Sequence, residues 1–336
     1  MSLNTKPAKY GFYGRLNEAF PSQIVVDATE VCNLACIHCP HPEYKQGPHY
    51  AARALDPELN KKMVDEVREF GGNRTQYIRY TSNGEPLAHR NIFEMLAYAA
   101  AHSGVQVTLT TNGKVLNAKR VEALLQTKIS MVDISLDAFH ADTYSKIRVG
   151  GDLNEVRANV LRLLERRDQT GSSLRVVLSF VEQPQNLGES APFEEFWKSK
   201  GANFVVIRRL HSAAGANMSI ASNIWQHADS GDRKPCVYPW ERIVLKASGH
   251  IGFCPQDWEE GSAIADYRTS TIRQVWQGET YRRLREAHLK NEYGCHNFCG
   301  KCPDWSLTRW PGEGRSYADM MEDFRREGAE VHVAEV

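Results

Sequence analysis

The sequence predicts an α/β fold on a mostly parallel sheet, followed by a smaller C-terminal α+β domain. Three observations carry that prediction. Apolar, β-branched runs alternate with amphipathic helical stretches from about residue 23 to 210. A turn-rich stretch then gives way to a β-hairpin signature. The cysteines fall into two groups far apart along the chain. Strands separated by helices are joined most readily as right-handed crossovers between parallel neighbours, in a doubly wound sheet or an incomplete barrel.

The candidate strands are Ile24–Ala28, Gln76–Tyr80, Val105–Thr110, Met131–Leu136, Leu174–Val181 and Phe204–Arg208. Helical periodicity falls between them at Pro57–Phe70, Asn91–His102, Ala118–Gln126, Leu153–Gln169 and Ala191–Lys200. Asp56-Pro57 is an N-cap followed by proline in the first turn, where its missing N–H costs nothing. Residues 1–22 precede this core of 23–210. The stretch 211–235 contains two turn-rich segments, His211-Ser-Ala-Ala-Gly-Ala-Asn217 and Asp229-Ser-Gly-Asp-Arg-Lys-Pro235, and is read as a linker. Within the next domain, 236–310, Arg242–Lys246 and His250–Cys254 flank Ala247-Ser248-Gly249, as in a hairpin. Helices are expected at Thr271–Trp276 and Thr280–Leu289. In the tail, 311–336, Tyr317–Glu327 is expected to be one exposed, charged helix.

The bulk numbers exclude several classes. Lys plus Arg and Asp plus Glu both total 41, and 42% of the 336 residues are apolar. A chain this balanced lacks the basic surplus of a nucleic-acid-binding or membrane-surface protein. No apolar run approaches the ~20 residues of a membrane span, and no signal-peptide core opens the chain. A cytoplasmic location, without nucleic-acid or membrane partners, is expected.

The eight cysteines carry the chemistry. Cys32-Asn-Leu-Ala-Cys36-Ile-His-Cys39 follows directly on the first strand, so three thiolates share one loop. They supply three of the four thiolates a [4Fe–4S] cluster ordinarily takes and leave one iron open for a small molecule. A zinc site completed by His38 or His41 is the alternative. The second group is Cys236, Cys254, Cys295, Cys299 and Cys302. The hairpin and the following helices can bring these together from far apart in sequence.

The C-x3-C-x2-C loop after the first of six βα units resembles the radical S-adenosylmethionine (SAM) superfamily. Asn83-Gly84-Glu85-Pro86 resembles the family's Gly-Glu-Pro segment, which receives the methionine amino group of SAM. Thr110-Thr-Asn112-Gly113 lies where the third strand of such enzymes ends. Ile134-Ser135-Leu-Asp137 and Arg148-Val-Gly150 resemble the segment holding SAM's carboxylate and ribose. One departure is His38, where relatives often carry an aromatic residue; a flat imidazole can still pack beside adenine. The resemblance implies a partial (β/α)6 barrel and SAM bound by Gly84, Glu85, Asn112, Ser135, Asp137 and Arg148. The second cysteine group resembles the SPASM/twitch extension, implying one auxiliary [4Fe–4S] cluster on Cys236, Cys254, Cys299 and Cys302, with Cys295 left over. Structural zinc remains the alternative for that module.

Function is then expected as SAM cleavage to a 5′-deoxyadenosyl radical, with a flavodoxin- or ferredoxin-type protein as reductant. Only about twenty residues precede the first strand, which favours a small substrate over a peptide. The expected substrate is a polyol, sugar or aminocyclitol, oxidised or epimerised with the auxiliary cluster exchanging an electron. A peptide-modifying maturase is the alternative, and a non-enzymatic metal scaffold is a more distant one. Asp257 is the candidate base. Arg208 and Arg209 end the sixth strand, so one of them should face the interior. Phe253, Trp258 and Tyr80 are candidates for the pocket wall.

Overall fold

The computed structural model describes residues 9–81, 83–227, 233–293 and 297–326. Six parallel strands form the core: β1 (Gln23–Asp27), β2 (Tyr77–Thr81), β3 (Gln106–Thr111), β4 (Met131–Ser135), β5 (Arg175–Glu182) and β6 (Phe204–Arg209). Each pairs with the next, and helices cover the outer face, as in a partial (β/α)6 barrel. The hairpin region does not start a new sheet. Strand β7 (Arg242–Leu245) pairs in parallel with β1, and β8 (His250–Gly252) and β9 (Ala263–Asp266) continue antiparallel from it. The result is one nine-stranded sheet in the order β6-β5-β4-β3-β2-β1-β7-β8-β9.

Alternation along each strand separates two environments. In β4, Val132 and Ile134 join the large core beneath the outer helices, whereas Met131 packs inside the barrel. The same rule corrects the reading of Tyr80. It points outward, and its hydroxyl donates to Asn60 Oδ1 at 2.6 Å on the helix Pro57–Glu66. That helix continues as a wider π-helical turn, Val67–Gly71, so the first crossover reaches the length that periodicity predicted.

Two further expectations change. The tail helix, Tyr317–Arg325, is not an exposed element. Ala318, Met320, Met321 and Phe324 are buried against Tyr77, Met131 and Val177, closing the inner face of the barrel from below. The Tyr317 hydroxyl donates to Thr108 Oγ1 at 3.1 Å. The stretch after β6 is not a free linker either. It contains a helix, Met218–His227, and Asp304 accepts from the Ser212 backbone and hydroxyl at 3.0 and 2.8 Å.

Candidate cluster and SAM site

The loop Cys32–Cys39 follows β1 and is stitched to the C-terminal end of the helix Ala141–Ile147 and the residues just after it. Ala35 N donates to Val149 O and Ile37 N to Ile147 O, at 2.9 and 3.0 Å. That pairing brings Arg148 beside the thiols. Its guanidinium is buried and donates to Asp137 Oδ2 at 2.5 Å, while Asp137 Oδ1 accepts from Val181 N. Asp137 itself sits in the left-handed region, φ 60°, a conformation its short polar side chain tolerates. Arg148 Nε is buried without a partner among the described residues.

Glu85 and Asn112 tie neighbouring strand ends together. Glu85 accepts from Thr111 Oγ1 at 2.6 Å, Asn112 N at 2.8 Å and Leu87 N at 3.0 Å, and burial still raises its pKa. Asn112 Nδ2 donates to Asn33 Oδ1 inside the cysteine loop at 2.7 Å. Gly84 is there because nothing larger fits: a Cβ would lie 2.0 Å from Thr29 O and 2.8 Å from Val31 O.

Both cysteine groups face one cavity of about 530 Å³ at the C-terminal ends of the strands. Cys32, Cys36, Cys39, Cys236, Cys254, Cys299 and Cys302 all line it, as do Gly84, Glu85, Asn112, Ser135 and Arg148. Ligands collect at this end of βα barrels because the loops converge there. Burial pushes the thiol pKa of Cys32 up to about 11 and those of Cys39 and Cys302 to about 12. Burial raises the thiol pKa of Cys254 as well, and Cys302, Cys236 and Cys299 push it further in the same direction. Such thiols stay protonated until an iron replaces the proton. Soft sulfur donors in sets of three and four fit iron–sulfur clusters, and the tight cradle at Gly84 with the unpartnered Arg148 Nε fits a polar ligand beside the first set. Cys295 lies outside the described residues.

The histidines offered for zinc are differently engaged. His41 Nε2 meets Glu30 O at 2.8 Å. His38 is partly buried 3.6 Å from Asp137, and loss of solvent drives its pKa down to about 4.

Residues 26–189 match the radical SAM superfamily, and residues 236–303 match SPASM, an iron–sulfur cluster-binding domain. This chain carries a radical SAM domain followed by a SPASM domain. Its cofactors are SAM and [4Fe–4S] clusters, one of them auxiliary, in place of the zinc alternatives. A GTP 3′,8-cyclase of Desulforamulus reducens is 34% identical over 142 residues, 42% of this chain and 42% of the relative. That of Listeria welshimeri is 31% identical over 203 residues, 59% of this chain and 56% of the relative. The chain thus matches about half the length of these curated relatives. Among solved structures, BtrN in complex with AdoMet and 2-DOIA superposes with a TM-score of 0.56. It is 18% identical, covering 84% of this chain and 92% of that one, so the likeness is one of fold.

These relatives overturn the expectation that the radical SAM enzyme oxidises or epimerises a polyol or sugar, since they are named for GTP. The structure corrects Asp257 as well. It is absent from the cavity wall, and its carboxylate accepts from Lys246 Nζ at 2.8 Å and from Ser262 Oγ, Ser262 N, Gly261 N and Glu259 N. Burial alone would raise its pKa, but Lys246 and the Ser262 donors outweigh burial and hold it below the usual carboxylate range. A carboxylate so occupied anchors the loop after Cys254 and makes a poor base. Of the arginine pair, Arg208 faces the interior, and Arg209 is exposed at the cavity edge. Phe253 and Trp258 line the wall as expected.

Sequence reasoning passed over Asp133 and Arg79. Arg208 Nη2 donates to Asp133 Oδ2 at 2.8 Å, and Arg79 Nη2 reaches the same oxygen at 3.3 Å. Ser179 Oγ donates to Asp133 Oδ1 at 2.5 Å, and Arg79 lies 3.9 Å over the Tyr317 ring. The signal was present: Tyr77-x-Arg79-x-Thr81 and Met131-x-Asp133-x-Ser135 put charge on the inward phase of two strands. Among the described residues, no helix is long and apolar enough to cross a membrane.

Proposed function

We propose that this radical SAM enzyme acts on a small anionic molecule held between the two cysteine sets, with a nucleoside triphosphate as the first candidate class. The observation that carries the reading is the charge balance around Asp133 on the cavity wall. Arg79 and Arg208 share the single carboxylate of Asp133, leaving one positive charge in surplus at a partly enclosed site. Arg209, at the edge, has no hydrogen-bond or ion-pair partner among the described residues and adds a second cation. An unneutralised guanidinium facing a cavity favours phosphate or carboxylate, which it can engage through two parallel donors. The relatives' name, GTP 3′,8-cyclase, supports the phosphate-bearing class.

On this reading Cys32, Cys36 and Cys39 hold the first cluster, and Cys236, Cys254, Cys299 and Cys302 hold the auxiliary one. When bound, the first cluster and SAM supply one-electron cleavage of SAM and hydrogen abstraction from the substrate. The chain's own residues do the positioning. Arg148, fixed by Asp137, and Ser135 hold SAM's polar groups; Glu85, saturated by its three donors, keeps the β2 and β3 ends in register around it. Trp258 and Phe253 exclude water from the wall. An external one-electron reductant completes the system.

The test is anaerobic turnover of the reconstituted protein with GTP, inorganic triphosphate and an uncharged nucleoside. GTP should raise 5′-deoxyadenosine release, triphosphate should compete, and Arg208→Gln should raise the GTP requirement about tenfold, the loss of one charged contact of about 1.4 kcal/mol. Stimulation by the uncharged nucleoside with none by GTP would overturn the reading.

A further inference from the structure

Gln23 opens β1, is 1% exposed and lines the cavity from below. Neither end of its carboxamide has a hydrogen-bond partner among the described residues. Exchanging the amide nitrogen and oxygen therefore changes nothing: a donor and an acceptor both remain unmet. Strand register sets its neighbours, Tyr77 on β2 and Arg242 on β7. Arg242 donates to Glu241 Oε2 at 2.5 Å through Nη2 and lies 3.9 Å over the Tyr238 ring, but its Nε is likewise buried without a partner.

Position makes the carboxamide unusual. On the same floor Met131 and Val177 are apolar and pack on the tail helix, and that helix engages the polar side chains of Gln106 and Arg175, which donate to Met321 O at 3.1 Å and Phe324 O at 2.9 Å. Barrel interiors are ordinarily filled by packed side chains. A buried polar group without partners is destabilising, and natural interiors keep few of them. A carboxamide displays an N–H donor beside a C=O acceptor, so its natural complement is an edge with acceptor and donor side by side. A lactam, a primary amide or the edge of a heterocyclic base has that pattern, whereas a simple hydrocarbon or a lone phosphate does not.

We propose that Gln23, supported by Arg242 Nε, is a recognition point on the cavity floor for an amide-like or base edge of the substrate. The assignment rests on the anionic-nucleotide reading above: Arg79 and Arg208 take the charge, and Gln23 reads the uncharged heterocycle. It adds a specificity element that charge cannot supply, because all nucleoside triphosphates carry the same phosphates.

The test is calorimetric titration of the anaerobically reconstituted protein and its Gln23→Met variant, near in size and without the amide. The probes are GTP, its analogue lacking the base carbonyl (2-aminopurine riboside triphosphate) and inorganic triphosphate. GTP should bind the variant about tenfold more weakly and lose its advantage over the analogue, while triphosphate binds both proteins alike. The melting temperature of the ligand-free variant should rise, because an unmet carboxamide has been removed; this also certifies folding. Equal GTP affinity in both proteins would mean the carboxamide meets only water, and the assignment would fall while the charge reading stands. Failure of both GTP and triphosphate to bind the unmodified protein would remove the anionic-nucleotide reading and this assignment together.

Discussion

Gly84→Ala should dismantle the first cofactor site through a single methyl group. The added Cβ would lie 2.0 Å from Thr29 O, 2.9 Å from Thr29 C and 2.8 Å from Val31 O. All three are backbone atoms, so no side chain can rotate away, and relief requires separating the end of β2 from the end of β1. Val31 adjoins Cys32, and its carbonyl accepts from Glu85 N at 2.9 Å. Overpacking of this kind costs ~1–3 kcal/mol, and losing that hydrogen bond adds ~1 kcal/mol. The sum of about 2–4 kcal/mol falls on the loop that carries all three thiols. Gly104→Ala is the control: its φ of 71° strains an alanine, but nothing lies within 4 Å of the new methyl. Iron content, SAM affinity and melting temperature should be measured on anaerobically reconstituted protein. Gly84→Ala should lose at least tenfold in SAM affinity and part of its iron, whereas Gly104→Ala should lose only stability. Unaltered SAM binding and iron in Gly84→Ala would refute the argument that this close approach builds the site.

Replacing Cys299 and Cys302 together by Ala should lower iron from about eight to about four per chain, with the first cluster kept; an unchanged iron count would mean other ligands. Asp257→Asn should cost about 3–5 kcal/mol, because Lys246 loses its buried partner, yet SAM cleavage per folded molecule should persist; a large loss of turnover at unchanged stability would restore the base. Asp27 is fully buried, and burial raises its pKa to about 7. The folded state keeps this proton where the unfolded chain has released it, so stability should fall as pH rises from about 4 to about 7, by about 4 kcal/mol in all. Asp27→Asn should flatten that slope in denaturant titrations at pH 5 and 8. Met321→Ala, at 1% exposure in the tail helix, should cost about 2–5 kcal/mol, whereas a helix lying in solvent would register almost nothing.

Much of this molecule was legible in one dimension because the signals are local. Strand alternation, helical periodicity and the Asp56-Pro57 start depend on neighbours a few residues away, and each appears where its pattern lies. The Cys32–Cys39 loop was readable for the same reason, since three ligands within eight residues need no tertiary contact to be recognised. The tail helix was also readable, though its charge misled: Tyr317, Met320, Met321 and Phe324 follow the i, i+3, i+4, i+7 spacing of a buried face.

Tertiary structure decided what depends on residues distant in sequence. No local pattern distinguishes Asp257 as an anchor from Asp257 as a base; that followed from Lys246 and Ser262 closing around its carboxylate. Nor could spacing reveal that β7 extends the barrel sheet, because parallel pairing with β1 joins residues more than two hundred positions apart. Arg79, Asp133 and Arg208 sit on three different strands, and only sheet register brings two guanidiniums onto one carboxylate. Composition fixed the overall charge at zero, but the electrostatics of the cavity arise from which few charges the fold turns inward, where low dielectric makes each count for more.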